Sequence, residues 1–343
     1  MDLAIVGAGA SGAGAAYRLR ESQCDVTVFE KSRGVCGRAA TRRKHGCIYD
    51  HGANYVKSAS NRVEKLLTET LPTDGLADIE APVWTFDADG DIGPGEGRDE
   101  HKWTYEAGIT QLAKRLFAET DAEIRFETRV AALDRDGAGW RLHDTDGDAL
   151  GNFDAVLLTP PAPQTADILA ASSWDDPRLE TLHDAVDAVP FRTIYTVVLN
   201  YDFELDYPWY ALLDTDREHE IGWLAREELK PGHVPDGQTL LIAQMSPAWS
   251  TRRYDDPSDE VKADAARLVA DLLDDERLAD PEWTDRQGWR YALPDDGGDA
   301  DALATAEAEG LYVAGDWTVG EGRVHRAVET GLDAADRIAP AGQ

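Results

Sequence analysis

The chain opens with short apolar runs separated by glycine-rich or polar breaks. Residues 2–6 form an apolar run of strand length, residues 7–12 read Gly-Ala-Gly-Ala-Ser-Gly, and helix-forming residues continue from 13 to 20. A second apolar run, over residues 25–29, ends at Glu30. This order predicts a strand, a glycine turn, a helix and a second strand.

The glycine turn has the spacing of a dinucleotide-binding fingerprint. Gly7 would allow the tight turn, Gly9 would let the backbone approach a pyrophosphate, and Gly12 would let the helix pack closely on the strand. The start of the helix would offer its free N–H groups to the phosphates. Glu30 lies where a carboxylate accepts hydrogen bonds from a ribose 2′-hydroxyl. Together these features predict dinucleotide binding rather than an empty strand-helix-strand unit.

Further along the chain the pattern predicts two long segments that lie outside this N-terminal strand-helix-strand unit. Runs of apolar residues with period 2 or 3.6, bounded by Gly, Pro or Asp-Gly turns, define the elements. The expected helices are 61–70, 258–274 and 324–338, with another ending near 119. The expected strands are 123–130, 154–158, 194–199, 209–213, 221–224 and 239–245. Residues 311–317 are expected to form a short strand that runs into a Gly-Asp turn, and hairpins are expected at 83–92 and around 146–147.

Composition limits the possible partners. The 343 residues include 66 Asp and Glu but only 34 Lys and Arg, which gives a net charge of −32. Such a charge repels nucleic acid and anionic membranes, so neither is an expected partner. A disordered acidic chain is excluded because 42% of the residues are apolar and ten are Trp. We interpret the charge as adaptation to a salty cytoplasm, as in a halophile.

This interpretation predicts that the melting temperature rises steeply between low salt and molar KCl. Acidic surface groups repel one another at low ionic strength, and added salt screens that repulsion. Thermal unfolding followed by circular dichroism across a KCl series measures the effect. A melting temperature that stays flat across the series contradicts the interpretation.

The three cysteines, Cys24, Cys36 and Cys47, form neither a CxxC pair nor a zinc-ligand spacing. We therefore expect no metal site and no disulfide framework, which suits a reducing cytosol. The apolar start lacks a basic segment before it, and no apolar run approaches membrane-spanning length. We expect a cytoplasmic protein that is a monomer or a homodimer.

Several motifs beyond Glu30 resemble one protein family. Residues 32–38 read SRGVCGR, 41–43 read TRR, 50–55 read DHGANY, 289–294 read WRYALP and 315–317 read GDW. With the N-terminal glycine turn, these segments resemble the FAD-containing amine oxidase superfamily, and most closely its renalase-like branch. The resemblance covers nearly the whole chain.

The resemblance implies an α/β fold with a Rossmann-like FAD-binding domain of the glutathione-reductase type. Inserted in it would be an α+β substrate domain built on an antiparallel or mixed sheet. The FAD-binding domain is assigned residues 1–56, 104–163 and 295–343, and the substrate-binding domain residues 57–103 and 164–294.

The cofactor expected from this resemblance is FAD. It is expected to be bound non-covalently, because no cysteine follows Cys47 and a C-terminal cysteinyl link is therefore impossible. The residues expected to bind it are Gly7, Gly9, Ala10, Ser11, Gly12, Glu30, Lys31, Gly37, Arg38, Asn54, Val130, Gly315, Asp316, Arg323, Val324 and Ala327. The final helix would face the flavin ring with its N-terminus, where N–H groups stabilise the negative charge of reduction.

The chain departs from the family pattern at three places. Cys36 stands where the first glycine of a Gly-Gly-Arg triplet belongs. Gln287 stands where relatives often have a histidine, and His325 and Arg326 stand where relatives often have Glu-Gly. Each departure changes a position that the resemblance places near the flavin or the substrate.

Flavin chemistry requires the protein to align a substrate C–H bond with flavin N5. The leading hypothesis is a renalase-like oxidase that takes a hydride from a small dihydronicotinamide-type heterocycle and is reoxidised by O2. The alternatives are a flavin amine oxidase or desaturase, and a non-catalytic flavoprotein. Flavin-side candidates are Trp289, His325 and Arg326, and the expected substrate pocket is lined by Trp209, Tyr210, Trp223, Trp289 and Tyr291.

Overall fold

The computed structural model of the chain describes residues 1–96 and 100–339. Its strands are β1 (Asp2–Val6), β2 (Asp25–Phe29), β3 (Thr41–Lys44), β4 (Cys47–Asp50), β5 (Val56–Lys57), β6 (Leu76–Asp78), β7 (Val83–Phe86), β8 (Ile92–Pro94), β9 (Lys102–Tyr105), β10 (Glu123–Arg125), β11 (Val130–Asp136), β12 (Gly139–Asp144), β13 (Ala149–Phe153), β14 (Ala155–Leu158), β15 (Phe191–Tyr201), β16 (Ala211–Asp214), β17 (Ile221–Arg226), β18 (Thr239–Met245), β19 (Trp283–Pro294) and β20 (Leu311–Val313). Its α-helices are α1 (Ala10–Leu19), α2 (Asn61–Lys65), α3 (Gln111–Ala118), α4 (Ala162–Ala170), α5 (Pro177–Asp187), α6 (Pro247–Arg252), α7 (Ser258–Leu273), α8 (Ala300–Leu303) and α9 (Val324–Ile338).

A five-stranded parallel sheet brings together the two ends of the chain. Its strand order is β10-β2-β1-β14-β20, so β1 lies between β2 and β14, and β20 from the far end of the sequence forms one edge. Both faces are covered, because α1, α3 and α9 pack on one face and the β11–β13 meander with α4 packs on the other. Strand β14 is accordingly apolar and buried at every position, as parallel strands buried on both faces require.

A seven-stranded mixed sheet forms the second large layer. Its order is β19-β15-β18-β17-β16-β7-β8, and every neighbouring pair is antiparallel except β7 with β16. Helix α7 covers one face with Val261, Ala265 and Val269. The other face packs against the β3–β4 hairpin through Tyr49. The predicted mixed sheet is confirmed.

Most predicted elements occur near their predicted positions. Helix α9 has the predicted bounds, and the hairpin of β7 and β8 turns at Asp89-Gly90 as expected. The single strand predicted over residues 123–130 is wrong, because Glu127 has a φ of +52° and separates β10 from β11. The division of the chain into two domains stays a prediction.

Among the helices that the structure describes, none combines the length and the apolar character that crossing a bilayer requires.

Candidate active site

A cavity of about 2100 Å³ lies between the two large sheets. It begins at the carboxyl ends of the parallel strands, where open α/β sheets bind their ligands. A drug-sized ligand occupies a pocket of about 300–1,000 Å³. The cavity therefore has room for a dinucleotide and for a second small molecule.

The glycine turn between β1 and α1 forms one end of the cavity wall. Gly7 has a φ of +101°, in the left-handed region that favours glycine. A Cβ on Gly9 would meet no atom within 4 Å, so this backbone faces open space. Helix α1 has neither a side-chain N-cap nor an acidic residue in its first turn. Its free N–H groups and positive end are therefore available to an anion.

Glu30 lies beside this turn with its carboxylate held by the backbone. Its Oε2 accepts a hydrogen bond from the Ala8 N–H at 2.8 Å, and its Oε1 accepts one from the Ser32 N–H at 2.8 Å. The next residue, Lys31, is exposed, and its Nζ donates to the Gln164 Oε1 at 2.9 Å. Desolvation, together with the nearby charge of Arg129, lowers the pKa of Lys31. Glu30, Lys31 and Arg129 all line the cavity, and the sequence motif predicts a ribose beside Glu30.

An ion pair between Arg38 and Asp316 joins the loop after β2 to the turn after β20. The Arg38 Nη2 lies 2.6 Å from the Asp316 Oδ1, and Nη1 donates to the Ala292 carbonyl at 3.0 Å. Asp316 is buried and Arg38 half-buried. Arg38, which the sequence predicts to bind FAD, therefore also holds three segments of the cavity wall together.

The N-terminus of α9 forms the opposite end of the cofactor half of the cavity. Arg323 is the N-cap residue in extended conformation, and no side chain caps the helix. Gly315 lies against this helix because its N–H donates to the Thr330 Oγ1 at 3.1 Å. The cavity thus has an uncapped helix start at each end.

The structure brings most of the predicted cofactor residues together. The predicted residues that line the cavity are Gly7, Gly9, Ala10, Ser11, Glu30, Lys31, Gly37, Arg38, Asn54, Val130, Gly315, Asp316, Arg323, Val324 and Ala327. Gly12 lies behind the wall, where a Cβ would come 2.1 Å from the Gly7 carbonyl oxygen. Because Gly12 has no side chain, helix α1 can pack closely on strand β1, as the sequence predicts. The cofactor contacts of these residues stay predictions.

The predicted substrate residues divide into two groups. Trp223, Trp289 and Tyr291 line the cavity. Trp209 and Tyr210 do not, and their predicted place in the pocket is wrong, because they are 1% and 0% exposed and pack into the two cores on opposite faces of the mixed sheet.

The flavin-side candidates His325 and Arg326 also differ from what the sequence predicts. Arg326 points away from the cavity, with its Nε 2.7 Å from Glu321 and its Nη1 2.9 Å from Glu329. His325 belongs to the lining, but its ring is 1% exposed and neither ring nitrogen has a hydrogen-bond partner among the described residues. Burial lowers the pKa of His325. The ring is therefore neutral at pH 7.

Cys36 occupies a conformation that explains the glycine expected there. Its φ of +82° lies in the left-handed region, which disfavours side chains by about 1–2 kcal/mol. The thiol is buried in the core that includes Ile109, and burial raises its pKa to about 12. Cys36 is thus an inert packing group at a strained position.

An aromatic wall that the sequence predicts only in part encloses the other half of the cavity. Trp223 faces Tyr55, with ring centroids 6.3 Å apart. Trp84 and Tyr254 also line this half. Tyr55 closes the DHGANY segment quoted above, so that motif contained the signal for it. Burial raises the pKa of Tyr55, which keeps its hydroxyl protonated.

Sequence reasoning missed a buried quartet of charged side chains: Asp50, Glu227, Lys230 and His233. All four are at most 1% exposed. The Lys230 Nζ donates to Asp50 at 2.9 Å and to Glu227 at 3.1 Å, and the His233 Nδ1 lies 2.8 Å from the same Glu227 oxygen. Although burial opposes ionisation, Lys230 and His233 hold the pKa of Asp50 below its usual value. The buried quartet fixes the end of β4, just before the cavity-lining residues 52–55, to the segment that follows β17.

Comparison with known proteins agrees with this geometry. The sequence pattern of the family described as flavin containing amine oxidoreductase matches residues 90–339, and that of an NAD(P)-binding Rossmann-like domain matches residues 5–70. The first of these covers more than half of the chain.

The chain belongs to the flavin-containing amine oxidoreductase family. Like other members, it is an FAD-dependent oxidoreductase.

Individual known proteins resemble the chain to different extents. Protoporphyrinogen oxidase 2, chloroplastic/mitochondrial, from Arabidopsis thaliana is 42% identical over 67 residues, which span 20% of this chain and only 13% of that protein. A protein of Exiguobacterium sp. 255-15 crystallised as a candidate protoporphyrinogen oxidase has a TM-score of 0.75 at 17% identity, and cyclohexylamine oxidase from Brevibacterium oxydans IH-35A has 0.72 at 17%; each alignment covers 98% of both chains. At such identities the structures establish the fold alone.

The cavity fits the FAD that this family binds. Two helix starts lack caps, the Glu30 carboxylate lies at the wall, and the Ser11 Oγ and Asn54 Oδ1 are buried without a partner among the described residues. The pyrophosphate would lie at the Gly9 backbone and the start of α1, and the flavin carbonyl end at the start of α9. Bound there, FAD supplies the hydride acceptor.

His51, behind the cavity wall, predicts an acid-sensitive stability. Its ring lies 5.4 Å from that of Trp289, and burial, with Arg42 nearby, lowers its pKa from 6.5 to about 4. Between these two values the unfolded chain binds a proton that the folded chain does not, so stability is lost as the pH falls, by up to about 1.4 kcal/mol per pH unit. We expect His51→Gln to lose less melting temperature than the wild type between pH 7 and pH 5. Equal losses in the two proteins contradict this assignment.

Proposed function

We propose that this oxidoreductase takes a hydride from a small, anionic, reduced nitrogen heterocycle of the dihydronicotinamide type. Loss of the hydride makes such a ring aromatic in one step, so no separate base is required. O2 would then accept the electrons. The observation that supports an anionic substrate is the charge of the cavity wall.

The cavity is basic within an acidic protein. Its described lining has more basic than acidic residues, whereas the whole chain has 34 basic and 66 acidic residues. The basic residues are Lys31, Arg38, Lys57, Lys102, Arg129, Arg192, Arg217, Arg290 and Arg323, and the acidic residues are Glu30, Glu96, Glu100, Asp167, Asp214, Asp295 and Asp316. Nine basic against seven acidic residues make this wall more basic than the chain as a whole, which favours anions, the FAD diphosphate among them, over protonated amines.

Two of these arginines are available to a substrate. Arg290 lies over the ring of Tyr254 at 4.3 Å, and Arg323 donates only to the Gly322 carbonyl at 2.9 Å. Neither forms an ion pair within the described residues. Burial raises the pKa of Tyr55, and the charge of Arg323, which lies near its hydroxyl, opposes that rise. We infer that Arg323 and Tyr55 receive the anionic group while Trp223 and Trp289 hold the flat ring.

An anaerobic titration tests this proposal. Dihydronicotinamide mononucleotide isomers should bleach the visible absorption of the bound flavin rapidly, and primary amines should not. Arg323→Gln should raise the concentration needed for half-maximal bleaching by a mononucleotide, about tenfold for an interaction of about 1.4 kcal/mol, and leave a neutral N-alkyl dihydronicotinamide unaffected. The control is Arg326→Gln, whose side chain points away from the cavity.

Amine oxidation is the second candidate function. The facing rings of Tyr55 and Trp223 could enclose a neutral amine, and the fold is shared with cyclohexylamine oxidase. Bleaching by amines alone would replace the first proposal with this one, and bleaching by an apolar polyene would favour the desaturase hypothesis. A yellow protein that no reductant bleaches would support the non-catalytic hypothesis.

We also propose membership of the renalase-like branch and adaptation to salt. The segments SRGVCGR and WRYALP support the first proposal, and the net charge of −32 supports the second. A cytoplasmic location and a monomeric or homodimeric state remain proposals of the same kind.

A further inference from the structure

Five aromatic rings form a continuous chain from the cavity to the protein surface. In order they are Trp289, His51, Tyr49, Trp283 and His45, which we call the ring chain. The successive ring centroids are 5.4, 6.2, 6.0 and 5.1 Å apart. These distances are those of rings in direct contact.

The two ends of the ring chain lie in different surroundings. Trp289 lines the cavity, and its Nε1 donates to the His51 carbonyl at 2.9 Å. At the other end, exposed His45 belongs to a surface hollow of about 300 Å³ lined by residues 43–48. Lys44 in that hollow holds its ammonium 5.5 Å from the ring of Trp283. Arg43 and Lys44 make the lining of the hollow basic, which suits a small anion, and the Lys44 Nζ also lies 3.9 Å from the Asp285 Oδ1.

Tyr49, in the middle of the ring chain, has surroundings that favour oxidation coupled to proton transfer. Its side chain is fully buried, and its Oη donates to the Asp285 Oδ2 at 2.5 Å. Burial and Asp285 raise the pKa of Tyr49, so the ring remains a neutral phenol. Although burial opposes it, hydrogen bonds from Tyr49 and Arg42 keep the pKa of Asp285 below its usual value. A carboxylate is therefore in place to accept the proton that a phenol releases when it loses an electron.

We propose that the ring chain carries oxidising equivalents out of the cavity to an anionic one-electron reductant of the ascorbate class bound in the basic hollow. Trp and Tyr are the side chains that lose an electron most readily, and the neutral His51 ring fills the gap between Trp289 and Tyr49. The device would protect the cavity from strong oxidants derived from peroxide. This proposal depends on the proposed reaction of the flavin with O2, and it does not depend on the identity of the substrate.

Each step of this route balances. A one-electron oxidant such as the hydroxyl radical, which forms when peroxide is reduced by one electron, takes one electron from Trp289 and becomes hydroxide, which leaves the Trp289 radical cation. Tyr49 returns an electron to Trp289 and gives its phenolic proton to Asp285. Trp283 then reduces the Tyr49 radical, and the proton returns from Asp285. The external reductant finally gives one electron to Trp283 and is itself oxidised by one electron.

The test uses FAD-loaded protein under blue light without any substrate, so that the excited flavin is the oxidant. One readout is the electron paramagnetic resonance signal of a tyrosyl radical in the frozen sample. The other is peptide mass spectrometry of oxygen added to Trp289 and to its neighbours, with and without ascorbate. The variants are Tyr49→Phe and Trp283→Phe. The matched control is Tyr201→Phe, because Tyr201 is equally buried but donates to the Leu278 carbonyl and lies outside the ring chain.

In the wild type and in Tyr201→Phe we expect a tyrosyl signal and several-fold less oxidation of Trp289 when ascorbate is present. Tyr49→Phe should lose both the signal and the protection. Trp283→Phe should keep the signal and lose the protection, which tests the route even where one variant folds poorly. Equal protection by ascorbate in all four proteins overturns the proposal. Since no substrate is added, failure of the proposed hydride donor leaves this test unaffected.

Discussion

Lys230→Met should destabilise the protein by about 3–5 kcal/mol, the cost of breaking a buried ion pair by removing one partner. The change leaves two buried carboxylates, Asp50 and Glu227, without the ammonium that binds both. Although burial opposes its charge, these carboxylates raise the pKa of Lys230, so the ammonium is retained in the folded state. The free energy of unfolding from urea titration at pH 7 measures the loss.

Lys262→Met provides the control for this result. Lys262 pairs with the exposed Asp259 on the surface of α7 at 2.7 Å, and exposed pairs contribute about 0–1 kcal/mol. A loss for Lys230→Met no larger than that for Lys262→Met would show that the buried quartet does not hold its segments together.

Gly12→Ala should destabilise the fold, whereas Gly9→Ala should weaken FAD binding and leave the stability of the fold unchanged. A Cβ on Gly12 would lie 2.1 Å from a backbone oxygen of Gly7. Backbone cannot move aside as a side chain can, so we expect a loss of about 3 kcal/mol or more, at the upper end of overpacking costs. A Cβ on Gly9 meets no protein atom within 4 Å, and Gly9 has a φ of −71° that alanine adopts freely. That Cβ would project into the space where the pyrophosphate approaches the backbone.

The measurements are the melting temperature without FAD and the dissociation constant of FAD. We expect Gly9→Ala to keep the wild-type melting temperature and to bind FAD about a hundredfold more weakly, equivalent to about 2.7 kcal/mol. Gly9→Ala protein that binds FAD as tightly as the wild type would place the pyrophosphate elsewhere.

The sequence predicts this fold well wherever a local pattern decides the structure. Helix α9 has the predicted bounds because its apolar positions repeat with the helical period and a glycine-rich segment precedes it. The strand expected at 123–130 is split because Glu127 adopts a positive φ, which no apolar pattern signals. Backbone conformation at a single non-glycine residue depends on its tertiary surroundings.

The candidate site shows the same difference between features set by a local sequence pattern and features set by tertiary packing. The glycine turn, Glu30 and the Gly315-Asp316 turn are local motifs, and the structure places them around one cavity. Trp209 and Tyr210 were misplaced because they precede β16, and the sequence does not show which face of a strand or loop a bulky ring covers. The buried quartet has no local signal, since Asp50 meets its partners only through the packing of the β3–β4 hairpin on a sheet formed much later in the chain.

The packing of the two chain ends has a consequence for biosynthesis. Helices α1 and α9 touch so closely that a Cβ on Gly331 would lie 2.0 Å from the Ser11 carbonyl oxygen, and Arg38 pairs with Asp316. A ribosome therefore releases the glycine turn long before the segment that completes its surroundings. Until residues 315–338 have been synthesised, the apolar face of helix α1 is uncovered. The nucleotide site also lacks the part of its wall that the Gly315 turn and helix α9 form. Non-local contacts of this kind slow folding, so we expect FAD capture to follow synthesis of the last helix, and chaperones to protect α1 until then.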